Sequence, residues 1–203
     1  MNRIKIIYLL IISISILLIS IALFVCTKEQ PNNKYIIING SHSIEVSLVK
    51  DNEGGSSIIS SEHIGTKENI ISKWKLSYPI YHFECADINA DGMDDILVGV
   101  IKPTRFDSIC RKRIFIFKLL EGYVRPLWLG SRVSQPLEDF KVIPSKPMNL
   151  IRTMEYEENG NFLVAEYKWK GFGLTFVKYI VRNSKIEEAR KIFNQTNTGN
   201  ENN

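Results

Sequence analysis

Residues 87–100 read DINADGMDDILVGV. Four aspartates and an asparagine surround one glycine, and the chain runs on at once into Ile96, Leu97 and Val98. Counted from Asp87, oxygen-bearing side chains fall at positions 1, 3, 5, 8 and 9 (Asp87, Asn89, Asp91, Asp94 and Asp95), with Gly92 at 6. Carboxylates crowded into one turn repel, each close pair costing about 1–4 kcal/mol at high effective dielectric. A hard divalent cation turns that repulsion into order. Calcium accepts roughly six to eight oxygens from alternating loop positions, whereas magnesium demands a tighter octahedron and keeps more water. Gly92 lets the backbone turn sharply enough for the Met93 carbonyl to face the ion as well. The apolar run that follows is the outgoing strand, so the stretch reads as strand, turn, strand.

The same texture extends in both directions. YIIIN and SIEVSLV are short β-branched runs broken at Asn39-Gly40. DNEGGSS reads as a loop, and KWKLSYPIYHFECADI alternates, with Pro79 marking a bend or an edge. Beyond the acidic turn come RIFIFKLL and YVRPLWLG, separated by Glu121-Gly122, then LEDFKVI. NLIRTMEY and NFLVAEYKW flank Asn159-Gly160, a strong hairpin signal, and GLTFVKYIV closes the set. SKIEEARKIF reads as a terminal helical turn or two. Nine or ten strands with turn signals between them predict an all-β fold of antiparallel sheets, in a propeller-blade-like or sandwich-like stack. No long amphipathic helix interrupts the strands, which argues against parallel βαβ units.

The first residues belong to a different category. Ile6–Val25 is a twenty-residue apolar run interrupted by Ser13, Ser15 and Ser20. As a hydrophobic helix it would be about 30 Å long, the thickness of a bilayer's hydrocarbon core. Arg3 and Lys5 precede it, which orients the N-terminus toward the cytoplasm and sends Cys26 onward outside. Three readings remain open: an uncleaved signal anchor, a bacterial lipoprotein signal lipidated at Cys26, and a cleaved signal peptide. Leu23 suits the lipoprotein pattern, while Val25 stands where a small residue is expected. All three place the remainder in a membrane-anchored or exported, extracytoplasmic setting, periplasmic or at the cell surface. The expected organisation is therefore signal anchor or lipoprotein signal 1–26, tether 27–34, β domain 35–190 and disordered tail 191–203.

The chain of 203 residues carries 26 Lys and Arg against 22 Asp and Glu. Removing residues 1–25 takes away Arg3 and Lys5 and no acid, leaving 24 basic against 22 acidic residues. That near balance gives no support to nucleic-acid binding. Cys85 and Cys110 could close a disulfide outside the cytoplasm or remain two separate thiols; spacing alone does not decide.

The acidic turn also discriminates among calcium loops. An EF-hand or dockerin loop needs a carboxylate at position 12, where this chain has Val98, so Asp95 is the closing ligand. The pattern resembles the FG-GAP/VCBS repeats of integrin-α-type β-propellers, whose D-x-[DN]-x-D-G-x-x-D loops bind calcium between strands. That resemblance implies ligands at Asp87, Asn89, Asp91, the Met93 carbonyl and Asp95, with Asp94 outside the set. The chain is also similar to short envelope proteins of Bacteroidales-type bacteria that carry this loop. It departs from a propeller in having one such loop. With blades of about 40–50 residues, roughly 155 residues hold three at most, which implies an open stack, or one or two blades on an N-terminal hairpin.

Two further stretches suggest a surface. IKPTRFDSICRKR (101–113) holds Arg105, Arg111 and Arg113, which could meet anionic glycans or a partner's carboxylates, or pair internally on a solvated hairpin. Trp128, Trp169 and Phe172 lie beside Arg125, Arg132, Lys168 and Lys170 and could stack on sugars or a protein partner; alternation reads them first as core. His42, His63 and His82 show no metal or nucleophile spacing. The expected function is thus a non-catalytic, calcium-binding envelope module that binds a protein or glycan. The alternative is a polysaccharide-acting enzyme or enzyme accessory, to be favoured by a deep pocket with two carboxylates roughly 5–10 Å apart.

Overall fold

The computed structural model of the chain describes residues 33–39, 42–51, 55–105, 107–130 and 133–195. The apolar N-terminal run, Cys26, Arg132 and the last eight residues lie outside the described residues.

Among the described residues, twelve strands and one helix follow each other. The first four are β1 (Lys34–Asn39), β2 (His42–Lys50), β3 (Ser56–Ile64) and β4 (Lys67–Leu76). The next four are β5 (Ile80–Ala86), β6 (Asp95–Thr104), β7 (Asp107–Leu120) and β8 (Tyr123–Leu129). The last are β9 (Leu137–Ile143), β10 (Leu150–Tyr156), β11 (Phe162–Trp169) and β12 (Leu174–Ser184), and helix α1 (Ile186–Asn194) ends the described chain. β1 to β4 form one sheet in chain order, and the other eight form a second in the order β12-β11-β10-β9-β7-β6-β5, with β8 also on β7. All pairings are antiparallel.

The larger sheet is two meanders whose ladders meet, among the described residues, at one residue pair, Lys112 with Leu137. The molecule is therefore three successive four-stranded meanders, β1–β4, β5–β8 and β9–β12, and their cores show how they pack. One core joins Ile37, Val46 and Ile58 of the first meander to Ile96, Val98 and Phe117 of the second. The other joins Leu97, Ile114 and Ile116 of the second to Phe140, Ile151 and Trp169 of the third. The second meander is thus buried on both faces. That is why ILVGV and RIFIF read as unbroken apolar runs instead of alternating ones.

Two sequence expectations are corrected here. Twelve strands replace nine or ten, because β3, SSIISSEHI, carries too many serines to signal a strand. Ser57, Ser60 and Ser61 are nonetheless fully buried, and the Ser60 hydroxyl donates to the Gly122 carbonyl across the interface at 2.6 Å. KWKLSYPIYHFECADI is two strands, the end of β4 and all of β5, parted around Pro79. Helix α1 runs to Asn194, with Ala189 and Phe193 buried against the third meander. Glu121-Gly122 and Asn159-Gly160 do form hairpin turns, joining β7 to β8 and β10 to β11.

Gly99 in β6 shows how tight the packing is. A Cβ built there would lie 2.6 Å from the Tyr81 ring and 2.8 Å from the His82 Cβ. Gly99→Ala must displace the half-buried Tyr81 ring, so it is expected to lower stability by about 1–3 kcal/mol. Urea unfolding followed by tryptophan fluorescence checks this.

Candidate functional site

The acidic turn is the β5–β6 loop. β5 ends at Ala86 and β6 begins at Asp95, and these two residues pair across the hairpin. Both Asp87 carboxylate oxygens accept backbone N–H groups, Oδ1 from Ala90 at 2.7 Å and Oδ2 from Gly92 at 2.9 Å. Asn89 Oδ1 accepts from Asp91 N at 2.8 Å, and Asp91 Oδ1 from Met93 N at 2.9 Å. This chain of side-chain-to-backbone bonds is what short Asp and Asn side chains do in place of regular pairing. Gly92 has φ +86°, as the turn expected of it requires. The loop is anchored on the body: Ile88 is fully buried in the core between the second and third meanders, and Asn149 Nδ2 donates to the Asp87 carbonyl at 2.8 Å.

Asp95 is the unusual member. It is 1 % exposed, it accepts Ile88 N at 3.3 Å, and Asn89 Nδ2 stands 3.4 Å from its other oxygen and 3.0 Å from Asp91 Oδ2. Burial, followed by the charges of Asp91, Asp87 and Asp94, pushes its carboxyl up to about 7, against the pull of the Ile88 N–H. A raised folded-state value means the neutral acid suits the fold. The ionised form costs stability as pH rises from the usual carboxylate range through about 7.

Among the described residues no three His, Cys, Asp or Glu side chains form a group able to hold a metal ion. The expected ligands Asp87, Asn89, Asp91 and Asp95 do share one loop, with the Asn89 amide placing partial positive charge between two carboxylates. The donor chemistry fits a hard cation, since a carboxylate offers about four acceptor positions and an N–H bond uses one. Asp94 is half-buried beside Cys85, not exposed. Cys85 and Cys110 are both free thiols, and burial, then Asp94, pushes the Cys85 thiol well up.

The basic and aromatic stretches meet elsewhere. β8 leaves the edge of β7 at the pair Phe115–Leu129, and β9 pairs with that edge at Lys112–Leu137. The crossover opens a cleft of about 990 Å³ lined by Arg111, Arg113, Trp128, Val133, Tyr156 and Phe172, among others. Of the residues expected at a binding surface, Arg111, Arg113 and Trp128 line it, and Arg105 is exposed at the β6–β7 turn next to Thr104, which also lines it. Trp169 does not. It is 8 % exposed and packs in the core, because it stands on the face of β11 turned toward the second meander. Arg113 is itself 7 % exposed and donates from Nε to the Lys102 carbonyl at 3.1 Å.

No family model matches the chain, and no curated protein matches it. Among the described residues no helix is long and apolar enough to cross a membrane.

Several polar groups were not singled out by sequence. On the face of the third meander turned to α1, Arg152 binds Glu166 Oε1 through Nε at 3.1 Å and through its NH2 nitrogen at 2.8 Å. On the opposite face Glu155 accepts from Ser134 Oγ, Gln135 N, Thr153 Oγ1 and the Tyr167 hydroxyl, pinning the crossover segment to the sheet. His82 lies between carboxylates, with Nε2 3.3 Å from Glu84 and Nδ1 3.6 Å from Asp139, linking β5 to β9. The available signal was a charge at a mid-strand position where a core strand should be apolar, as in VAEYKW.

Proposed function

We propose that this chain is a membrane-tethered, extracytoplasmic, non-catalytic β module whose cleft binds a protein or glycan of the cell envelope, with calcium at loop 87–95. Its three meanders are read as propeller-blade-like sheets in an open stack. The observation that carries the binding role is the meeting of Arg111, Arg113 and Trp128, from two separate stretches, at one cleft beside an exposed Phe172. The tether rests on the apolar run behind Arg3 and Lys5.

Support for the cation comes from Asp95, a buried carboxylate with no ion pair among the described residues and three acidic neighbours. Asp87, Asn89, Asp91, the Met93 carbonyl and Asp95 would hold calcium, which supplies counter-charge to the loop. The protein's part is to keep those donors in place through Ile88 and Asn149.

Pull-downs from envelope extracts with the full chain in mild detergent test the role. Arg111→Ala is expected to lose a partner that the unaltered chain retains. Recovery of an identical set by both chains contradicts the reading. The enzyme alternative draws on Glu157 and Glu158 in the same cleft. Glu157, however, is engaged on both oxygens, by Arg182 at 2.8 Å and by Asn183 N at 2.5 Å. Release of reducing ends from envelope polysaccharide would favour that alternative.

A further inference from the structure

We infer that the cleft between the second and third meanders takes a neutral, hydroxyl-rich saccharide chain, with Phe172 and Trp128 as its stacking platforms; this rests on the reading of the cleft as a binding site. Three observations carry it.

The first is the position of the aromatic side chains. Phe172 is 96 % exposed at the tip of the β11–β12 turn. The turn is short, with Lys170 N donating to the Gly173 carbonyl at 2.9 Å, and a Cβ at Gly173 would lie 3.3 Å from Trp128 Nε1. An aromatic ring so exposed contributes little to the core. Trp128 and Tyr156, itself 41 % exposed, line the same cleft, so three aromatic side chains border one groove. Flat apolar faces flanked by polar groups suit the C–H faces of sugar rings.

The second is the sign of the walls. Arg111, Lys112, Arg113, Glu157 and Glu158 all line the cleft, and within it Lys112 is paired to Glu138 at 3.0 Å and Glu157 to Arg182 at 2.8 Å. A lining of both signs, with charges already paired, favours neither an anion nor a cation. Hydroxyl groups both donate and accept, so a neutral polyol satisfies both signs at once.

The third is shape. A volume of about 990 Å³ is at the upper end for a small-molecule site and leaves room for several linked rings. Strand addition by a peptide needs a run of unpaired backbone. The β7 edge at the cleft is interrupted by pairing at Lys112 and again at Phe115.

The test is native affinity electrophoresis of the full chain in mild detergent, through gels holding dextran, mixed-linkage β-glucan, xylan or galactomannan, with alginate as the acidic comparison. At least one neutral polymer is expected to retard the chain. Phe172→Ala, whose fold is checked by circular dichroism, is expected to weaken that retardation about 2- to 10-fold. A parallel arm places a photo-crosslinker at position 172 in envelope vesicles. Retardation by alginate alone, or a protein adduct with no polysaccharide binding, overturns the saccharide inference and leaves the binding-module reading standing. Silence in both arms overturns both.

Discussion

At pH 8 without calcium, Asp95→Asn is expected to be more stable than the unaltered chain; with calcium the order reverses. The asparagine keeps an oxygen for the Ile88 N–H but removes a buried charge that Asp91, Asp87 and Asp94 disfavour. Relief of an inadequately compensated buried polar group is worth about 1–3 kcal/mol. Calcium at a hundredfold excess over its dissociation constant adds about 2.7 kcal/mol to a chain that binds it. For a domain of this size that is a rise of about 5–10 °C in Tm, which the variant should not show. Thermal scans with EDTA and with millimolar calcium read both signs. A variant that gains as much from calcium as its parent would contradict the assignment of Asp95.

Arg152→Met is expected to cost more than any surface change. Arg152 and Glu166 are 2 % and 0 % exposed, and Arg152 also donates to the Ile192 and Gln195 carbonyls at the end of α1. Removing the guanidinium leaves a buried carboxylate whose second oxygen, among the described residues, is paired with Lys178 alone, at 3.5 Å. Breaking one side of such a pair costs about 3–5 kcal/mol. The same change frees the helix end it caps, so Phe193 loses part of its hold on the third meander. Replacing both partners, Arg152→Met with Glu166→Met, should recover much of the loss, because a buried pair and an apolar pair of similar volume are nearly equivalent. Urea midpoints for the two variants check this; equal losses would show that the pair is not the cause.

The sequence made the β character readable wherever physical signals were local. The turns at Glu121-Gly122 and Asn159-Gly160 lie where they were expected, and the acidic loop joins two strands. The burial of the second meander on both faces also leaves a mark in the sequence. Ile96 to Val98 and Ile114 to Phe117 are apolar without alternation, the mark of a sheet covered on both faces. What stayed hidden depends on distant partners. Ser60 is a core residue because a carbonyl in the β7–β8 turn meets it, and nothing in SSIISSEHI announces that carbonyl. The cleft joins residues near 111, 128, 156 and 172, and only the change of neighbour along β7 brings them together. Trp169 and Trp128 read alike in sequence. Trp169 is buried on the face of β11 turned to the second meander, while Trp128 packs half-buried against the same core where β8 leaves the sheet, and there it also lines the cleft.

The loop's role is tested most directly by counting bound calcium. Equilibrium dialysis of the purified full chain against ⁴⁵Ca is expected to show one ion per chain at saturation, and none for Asp95→Asn. Absence of stoichiometric uptake by the unaltered chain would contradict the central claim.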